Sequence, residues 1–358
     1  MSLQSASPIM ADLPTFETPQ AWYGDDMAAR SDWQFHLSEE DRKELRRALE
    51  VARQSTVPLP LLGQDHFPLD RLARRLATLR RDALVGRGFC LLRGVPVEQY
   101  TAWESAAAFW GIGLYLGEAV SQNGKGHVLG HVANLGLDYA DPEVRGYQTT
   151  SLLNYHTDAS DLVALLCLRT PQSGGLSYIA SSTTVWNEAV RRRPDLARVL
   201  MEPFYYTRWG ELGEDRQPFY GMPVFQPCNR HIVATYVQSA IRKAQRLPGV
   251  PRLTPQQEEA LHLVDSLTAS PSIHLGMEFR PGDVQILCNH WIMHSRTSYI
   301  DWPEAARRRH LLRLWLACDD GPVLPANFIE DMQGATQSGR PNGIHVPGVP
   351  LSAPLEPC

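Results

Sequence analysis

The stretch Arg309-His310-Leu311-Leu312-Arg313-Leu314-Trp315-Leu316 constrains the fold more than any other part of the chain. In an extended strand, alternation turns His310, Leu312, Leu314 and Leu316 to one face, which is plainly a packing face. Arg309, Leu311, Arg313 and Trp315 share the other. That second face sets two guanidiniums among apolar side chains, about 13 Å apart at ~3.3 Å per residue. A buried arginine is costly without an anionic partner. The fold must therefore offer these positions two anions, or one anion and one carboxylate of its own. The adjoining Arg307 and Arg308 are read as solvated.

The second informative stretch is His156-Thr157-Asp158, at the entrance to the apolar run Leu162–Leu168, which reads as a buried strand. If the triplet is itself extended, His156 and Asp158 point to the same face. A later histidine then completes a set of two imidazoles and one carboxylate, which suits non-haem Fe(II) and leaves coordination positions open. Two candidates follow, His290 and His294, four residues apart. On a helix they would share a face like a zinc-binding pair, but the sequence His290-Trp291-Ile292-Met293-His294 lacks the glutamate of HExxH. We read His294 as the ligand and His290 as structural. Zinc on the same ligands would make a hydrolase, and that reading needs a general base, for which Asp161 is the one neighbour in sequence. Substrate contacts are expected from loops and from the ligand strands: Gln122, Asn123, Tyr155, Arg296 and Arg313. Tyr155 reads equally well as a core aromatic, and Arg296 as a partner for a carboxylate that orients the ligand strand. His127 and His131, in a Gly-rich loop, read as structural or surface residues.

Around these stretches the chain has the make-up of an ordinary globular protein, 43% hydrophobic and 20% charged over 358 residues, enough for one elaborated domain or two closely joined ones. The net charge of -5 and the scattered basic residues show no nucleic-acid footprint. The six cysteines are far apart without a CxxC pair, which excludes a zinc ribbon and a disulfide scaffold. No run reaches membrane-spanning length and the N-terminal residues carry no signal-peptide pattern, so the expectation is a cytoplasmic protein with no membrane partner. A homo-oligomer is compatible with the sequence.

Residues 1–20 read as a loose arm, 21–330 as the folded domain and 331–358 as a Pro/Gly-rich tail wrapping the surface. Helices are expected after Ser38, across Asp70 to Val85, from Ala102 to Trp110, from Thr184 through the following WNEAVRRR, after Pro194 and after Thr254. Phe89–Leu92 and Leu176–Ala180 read as strands, and Gly111–Tyr155 as irregular loops over a site. From about residue 150 the pattern is mostly β. The class is α+β, with a β-sandwich or barrel holding the site.

Together, Tyr155-His156-Thr157-Asp158, the turn Gly174-Gly175-Leu176-Ser177, Asn289 through His294-Ser295-Arg296, and Arg309-His310-Leu311-Leu312-Arg313 resemble the TauD/TfdA family of Fe(II)- and 2-oxoglutarate-dependent dioxygenases. The resemblance implies a double-stranded β-helix (jelly roll) core over about 85–318, with a helical N-terminal region and insertions. It implies Fe(II) on His156, Asp158 and His294, and 2-oxoglutarate with its distal carboxylate on Arg309. Ser177 stands where the family often has the threonine of GGDT, keeping the hydroxyl, while Leu176 replaces the acidic residue. Arg313 falls where taurine-type members hold a sulfonate, which points to an anionic small-molecule substrate. The implied reaction consumes O2, converts 2-oxoglutarate to succinate and CO2, and oxidises a substrate C–H bond. Hydroxylation is the default, with desaturation, cyclisation or epoxidation open to the same site. Related halogenases replace the carboxylate ligand with a small residue, and this chain retains Asp158. A jelly-roll binding protein without turnover would not require the whole constellation.

Overall fold

The structure, a computed structural model, describes residues 13–141, 143–213, 216–331 and 335–358. The strands whose sequence is apolar on both faces occupy the middle of its larger sheet. Leu162–Arg169 lies between Val284–Cys288 and His310–Ala317, and the full seven-stranded order is Gln34–His36, Phe89–Arg93, Val284–Cys288, Leu162–Arg169, His310–Ala317, Glu118–Val120, with Gly130–Ala133 also paired to His310–Ala317. Gln34–His36 runs parallel to its neighbour and every other pair is antiparallel. The helices Arg71–Val85 and Ala102–Gly113 pack against this sheet.

A four-stranded antiparallel sheet faces it, in the order His274–Met277, Ser177–Ser181, Ile292–Arg296, Leu153–His156. Gln285 spans the gap, its Nε2 donating to Ser177 Oγ at 3.3 Å and lying 3.1 Å from the Met277 sulfur. Two opposed sheets of mainly antiparallel strands with helical insertions are the jelly-roll core that the resemblance implied. No helix of the described residues is long and apolar enough to cross a membrane.

Local signals place the main helices well. Ser38 with Asp41, Thr101 with Glu104, and Thr254 with Gln257 each close a reciprocal capping box. The helix expected from Thr184 begins at Ser182, because Ser181 is its cap and accepts from the Thr184 N–H. Gly111–Tyr155 is more regular than expected: it contains three short strands, two of them stabilised by pairing with His310–Ala317. That is a tertiary effect which local propensity does not show.

Both ends of the chain also depart from expectation. Of the arm read over 1–20, residues 1–12 lie outside the described residues, but 13–20 are tied down. Phe16 is buried, its N–H donates to Asn187 Oδ1 at 2.9 Å, and Trp186 Nε1 donates to Pro14 O at 2.8 Å. The tail read over 331–358 does more than wrap the surface. Arg340 enters the interior to meet Asp161, and the Ile344 N–H donates to Ser121 O at 2.8 Å.

Candidate metal centre and cleft

The strand Leu153–His156 ends at His156, so Asp158 lies just past it and not on it as the alternation argument supposed. Past the strand end, Thr157 and Asp158 are instead held by hydrogen bonds to distant residues. The Thr157 N–H donates to Tyr236 O at 2.8 Å and Thr157 Oγ1 accepts from the Tyr236 N–H at 3.1 Å. The Asp158 N–H donates to Asn289 Oδ1 at 3.0 Å, and Asn289 Nδ2 donates in turn to Ser160 O at 3.0 Å. Asn289 thus joins the connection carrying the first two candidate ligands to the turn that precedes the third.

Strand pairing supplies the rest. His294 lies directly opposite His156 in register, with ring centroids 4.1 Å apart, and His294 Nε2 is 3.7 Å from Asp158 Oδ2. One donor atom from each of His156, Asp158 and His294 lies within 4.8 Å of the others. His156 Nδ1 is 2.9 Å from Asn154 O, a contact that puts the proton on Nδ1 and leaves Nε2 as the free lone pair. His294 Nδ1 is buried without a partner. Burial, and then the neighbouring His156, keep His294 neutral by lowering its pKa to about 3. Burial works against charge on Asp158, but Arg313, His294, His156 and the Trp315 indole together outweigh it and hold the carboxyl below its ordinary range. Two neutral imidazoles and one carboxylate fit a divalent transition-metal cation.

Asp158 is oriented by a residue that sequence reasoning assigned no role. Trp315 Nε1 donates to Asp158 Oδ2 at 2.8 Å. Its signal was present, since Trp315 shares the arginine face and a buried indole N–H needs an acceptor. We expect Trp315→Phe to weaken divalent-metal binding about 10- to 100-fold, read by Mn(II) titration. Unchanged affinity would show that the indole is dispensable.

Arg313 lies beside the same carboxylate, Nη1 being 3.7 Å from Asp158 Oδ2. Its Nε donates to Gln122 Oε1 at 2.7 Å, and its guanidinium stands 4.7 Å from the Tyr147 ring centroid and 4.8 Å from that of Trp315. Gln122, expected in contact with substrate, is used up in this support: Nε2 donates to Val128 O and Arg313 O. Asn123 is likewise engaged, its Oδ1 accepting from the Lys125 and His127 N–H groups. A cleft opens onto His156, Asp158, Arg313 and Trp315, walled by Tyr155, Tyr147, Trp209, Tyr220, Phe328 and Ile344. Of the five expected substrate contacts, the structure places Arg313 and Tyr155 on this cleft. Phe328 and Ile344 come from the far end of the chain, and nothing local in their sequence marks them as site residues.

Arg309 is buried on the inter-sheet side near Tyr299, and Arg296 is beside it rather than on the cleft. Ser177 faces Arg296 in the pairing of their strands and accepts from Gln285. His290 is structural: Nε2 is 2.8 Å from Asp161 Oδ1. Asp161 also accepts from the Cys318 N–H at 2.8 Å and from both Nε and Nη2 of Arg340. Burial alone would raise its pKa, but the bonds from His290 and Arg340 overcome it and bring the pKa to about 2. A carboxylate so engaged cannot serve as the general base that a zinc hydrolase needs. His131 is 2.8 Å from His310, and His127 is 3.2 Å from Asn123, so both are in structural contacts.

The model of the "Taurine catabolism dioxygenase TauD, TfdA family" matches residues 55–315. The chain is 28% identical over 327 residues to FR-33289 synthase of Streptomyces rubellomurinus, covering 89% of this chain and 95% of that protein. It is 30% identical over 327 residues to the taurine hydroxylase-like protein SAT17 of Stachybotrys chartarum, covering 87% and 82%. Among solved structures, asparagine oxygenase in complex with Fe(II), hydroxyasparagine and succinate superposes with a TM-score of 0.62 at 19% identity, over 80% of this chain and 93% of that one. The non-haem iron oxygenase OrfP, in complex with Fe, succinate and a hydroxy-arginine, gives 0.61 at 16% identity, over 87% and 99%.

Proposed function

Since the chain belongs to the TauD/TfdA dioxygenase family, we propose that His156, Asp158 and His294 hold Fe(II), that 2-oxoglutarate binds beside them toward Arg309 and Ser177, and that a small molecule bearing an anionic group enters the cleft toward Arg313. The protein is an Fe(II)- and 2-oxoglutarate-dependent oxygenase. The observation carrying this reading is the convergence of two neutral imidazoles and one carboxylate to within 4.8 Å, with buried arginines on the adjoining strand face.

With iron bound, the metal and 2-oxoglutarate supply O2-dependent decarboxylation to succinate and CO2 coupled to oxidation of a C–H bond. The chain's own residues do the rest. Trp315 and Asn289 fix Asp158, and the Asn154 carbonyl fixes His156 in the tautomer that presents Nε2. Arg309 offers a bidentate fork to the distal carboxylate of the co-substrate. Arg313, steadied by Gln122 and flanked by two aromatic rings, offers a cation close to the metal ligands. The cleft's aromatic and aliphatic walls exclude water and aim the substrate. Retention of Asp158 favours oxygenation over halogenation.

Mixing anaerobic protein with Fe(II) and 2-oxoglutarate is expected to produce a weak visible charge-transfer band. Absence of the band, with hydrolysis dependent on zinc in its place, would sink the proposal.

A further inference from the structure

Beyond the third ligand the chain builds a feature that metal binding does not explain. Arg296 is two residues past His294 on the strand Ile292–Arg296, so alternation turns both toward the space between the sheets. Arg296, Tyr299 and Arg309 are all buried, at 4%, 6% and 4% exposure. The Arg296 guanidinium carbon is 4.7 Å from the Tyr299 ring centroid and that of Arg309 is 5.2 Å from it. Arg296 is anchored through two nitrogens: Nε donates to Thr297 O at 3.2 Å, and Nη2 donates to Ser151 O. Its third nitrogen, Nη1, is buried and has no partner, and the same holds for Arg309 Nη1, while the Tyr299 hydroxyl oxygen faces the Arg309 guanidinium and leaves its O–H to donate elsewhere. The nearby acid Asp301 gives Oδ1 to the Arg309 backbone N–H, and its Oδ2 is also unpartnered. Among the described residues, neither guanidinium forms an ion pair with a carboxylate.

Two buried cations sharing one ring repel each other. Such an arrangement is costly to a fold unless an anion completes it. A carboxylate has two oxygens and about four lone-pair sites, enough for an N–H from each arginine and the phenol O–H. We propose that Arg296 and Tyr299 join Arg309 in binding the distal carboxylate of the 2-oxo diacid, so that this chain grips its co-substrate with two arginines. The proposal rests on the oxygenase reading of the site. It moves Arg296 from the substrate side, where sequence suggested it, to the co-substrate side. It also assigns a specificity: the second guanidinium selects a dicarboxylate over a 2-oxo acid with one carboxylate.

The test is calorimetric and involves no turnover. Full-length protein loaded with Mn(II) under anaerobic conditions is titrated with 2-oxoglutarate and, separately, with 2-oxobutyrate, which lacks the distal carboxylate. Arg296→Met should weaken 2-oxoglutarate binding about 30-fold or more, leaving Mn(II) affinity and 2-oxobutyrate binding as in the wild type. Tyr299→Phe removes only the hydroxyl and should weaken 2-oxoglutarate several-fold with the same selectivity, which covers the case in which Arg296→Met does not fold. Equal losses for both ligands would mean that Arg296 merely braces the strand, and unchanged 2-oxoglutarate binding in both variants would likewise overturn the proposal. If the wild type itself fails to bind 2-oxoglutarate, the oxygenase reading falls with it, an outcome distinct from the other two.

Discussion

Asp158→Ala is expected to abolish metal-dependent turnover and to lower Mn(II) affinity by more than about 100-fold, since even residues that only support a ligand are worth 10- to 100-fold. The reason is charge as much as lost coordination. Asp158 is the one anion in the donor set, and it lies 3.7 Å from both His294 Nε2 and Arg313 Nη1. Without it, an incoming divalent cation meets two neutral imidazoles and an uncompensated guanidinium. Asp158→Asn separates the contributions, because it keeps the volume and an acceptor for the Trp315 indole but loses the charge. If charge dominates, the asparagine variant binds metal nearly as poorly as alanine. Near-wild-type affinity in Asp158→Ala would remove this residue from the metal site and with it the proposed centre.

The largest effect on stability is expected at Asp161. Asp161→Ala should destabilise the protein by about 3–5 kcal/mol, the usual cost of removing one member of a buried charged pair. The truncation leaves Arg340, His290 and the Cys318 N–H without their shared acceptor. The effect has a pH signature. The folded pKa of Asp161, about 2, is below the ordinary value of 3.8, so its ionised form contributes stability fully above pH 4. That contribution, on the order of 2 kcal/mol, is lost as pH falls from about 4 through 2. The gap in denaturant midpoint between wild type and Asp161→Ala should therefore narrow, without closing, as pH falls from 7 toward 2. A gap that stays constant with pH would show that packing, and not the carboxylate charge, accounts for the loss.

Much of this site was legible because its residues announce themselves by chemistry. His156, Asp158, His294 and Arg309 are polar groups at the borders of apolar strands, and such groups need a reason to be there. Arg313 was legible from alternation alone. Other parts were hidden for physical reasons. Asp158 is placed by long-range hydrogen bonds to Asn289 and Trp315, not by a strand, so its place beside His156 and His294 does not come from period-two alternation. Gln122 looked like a loop residue available to substrate, yet its amide is used up supporting Arg313. The hairpins Pro203–Thr207 with Phe219–Pro223 and Phe225–Cys228 with His231–Ala234 went unread, their Pro-, Gly- and Tyr-rich sequences lacking a clear alternation. Ile344 gives no local sign that it walls a cleft, because its position depends on contacts with residues more than 200 positions earlier in the chain.

The connection that carries His156 and Asp158 is secured by Tyr236 and Asn289, and by Arg340 through Asp161. This wiring sets an order of assembly during synthesis. A nascent chain that has reached residue 170 presents the His-Thr-Asp pair with none of these anchors and without His294, so it offers a passing metal ion two donors on an unsupported strand end. The three donors are together only once Ile292–Arg296 has paired with Leu153–His156, and the cleft acquires its last wall when Ile344 is in place. Long-range closure of this kind slows folding. Until it is complete, the chain lacks the third donor and the far wall of the cleft that the finished fold brings together.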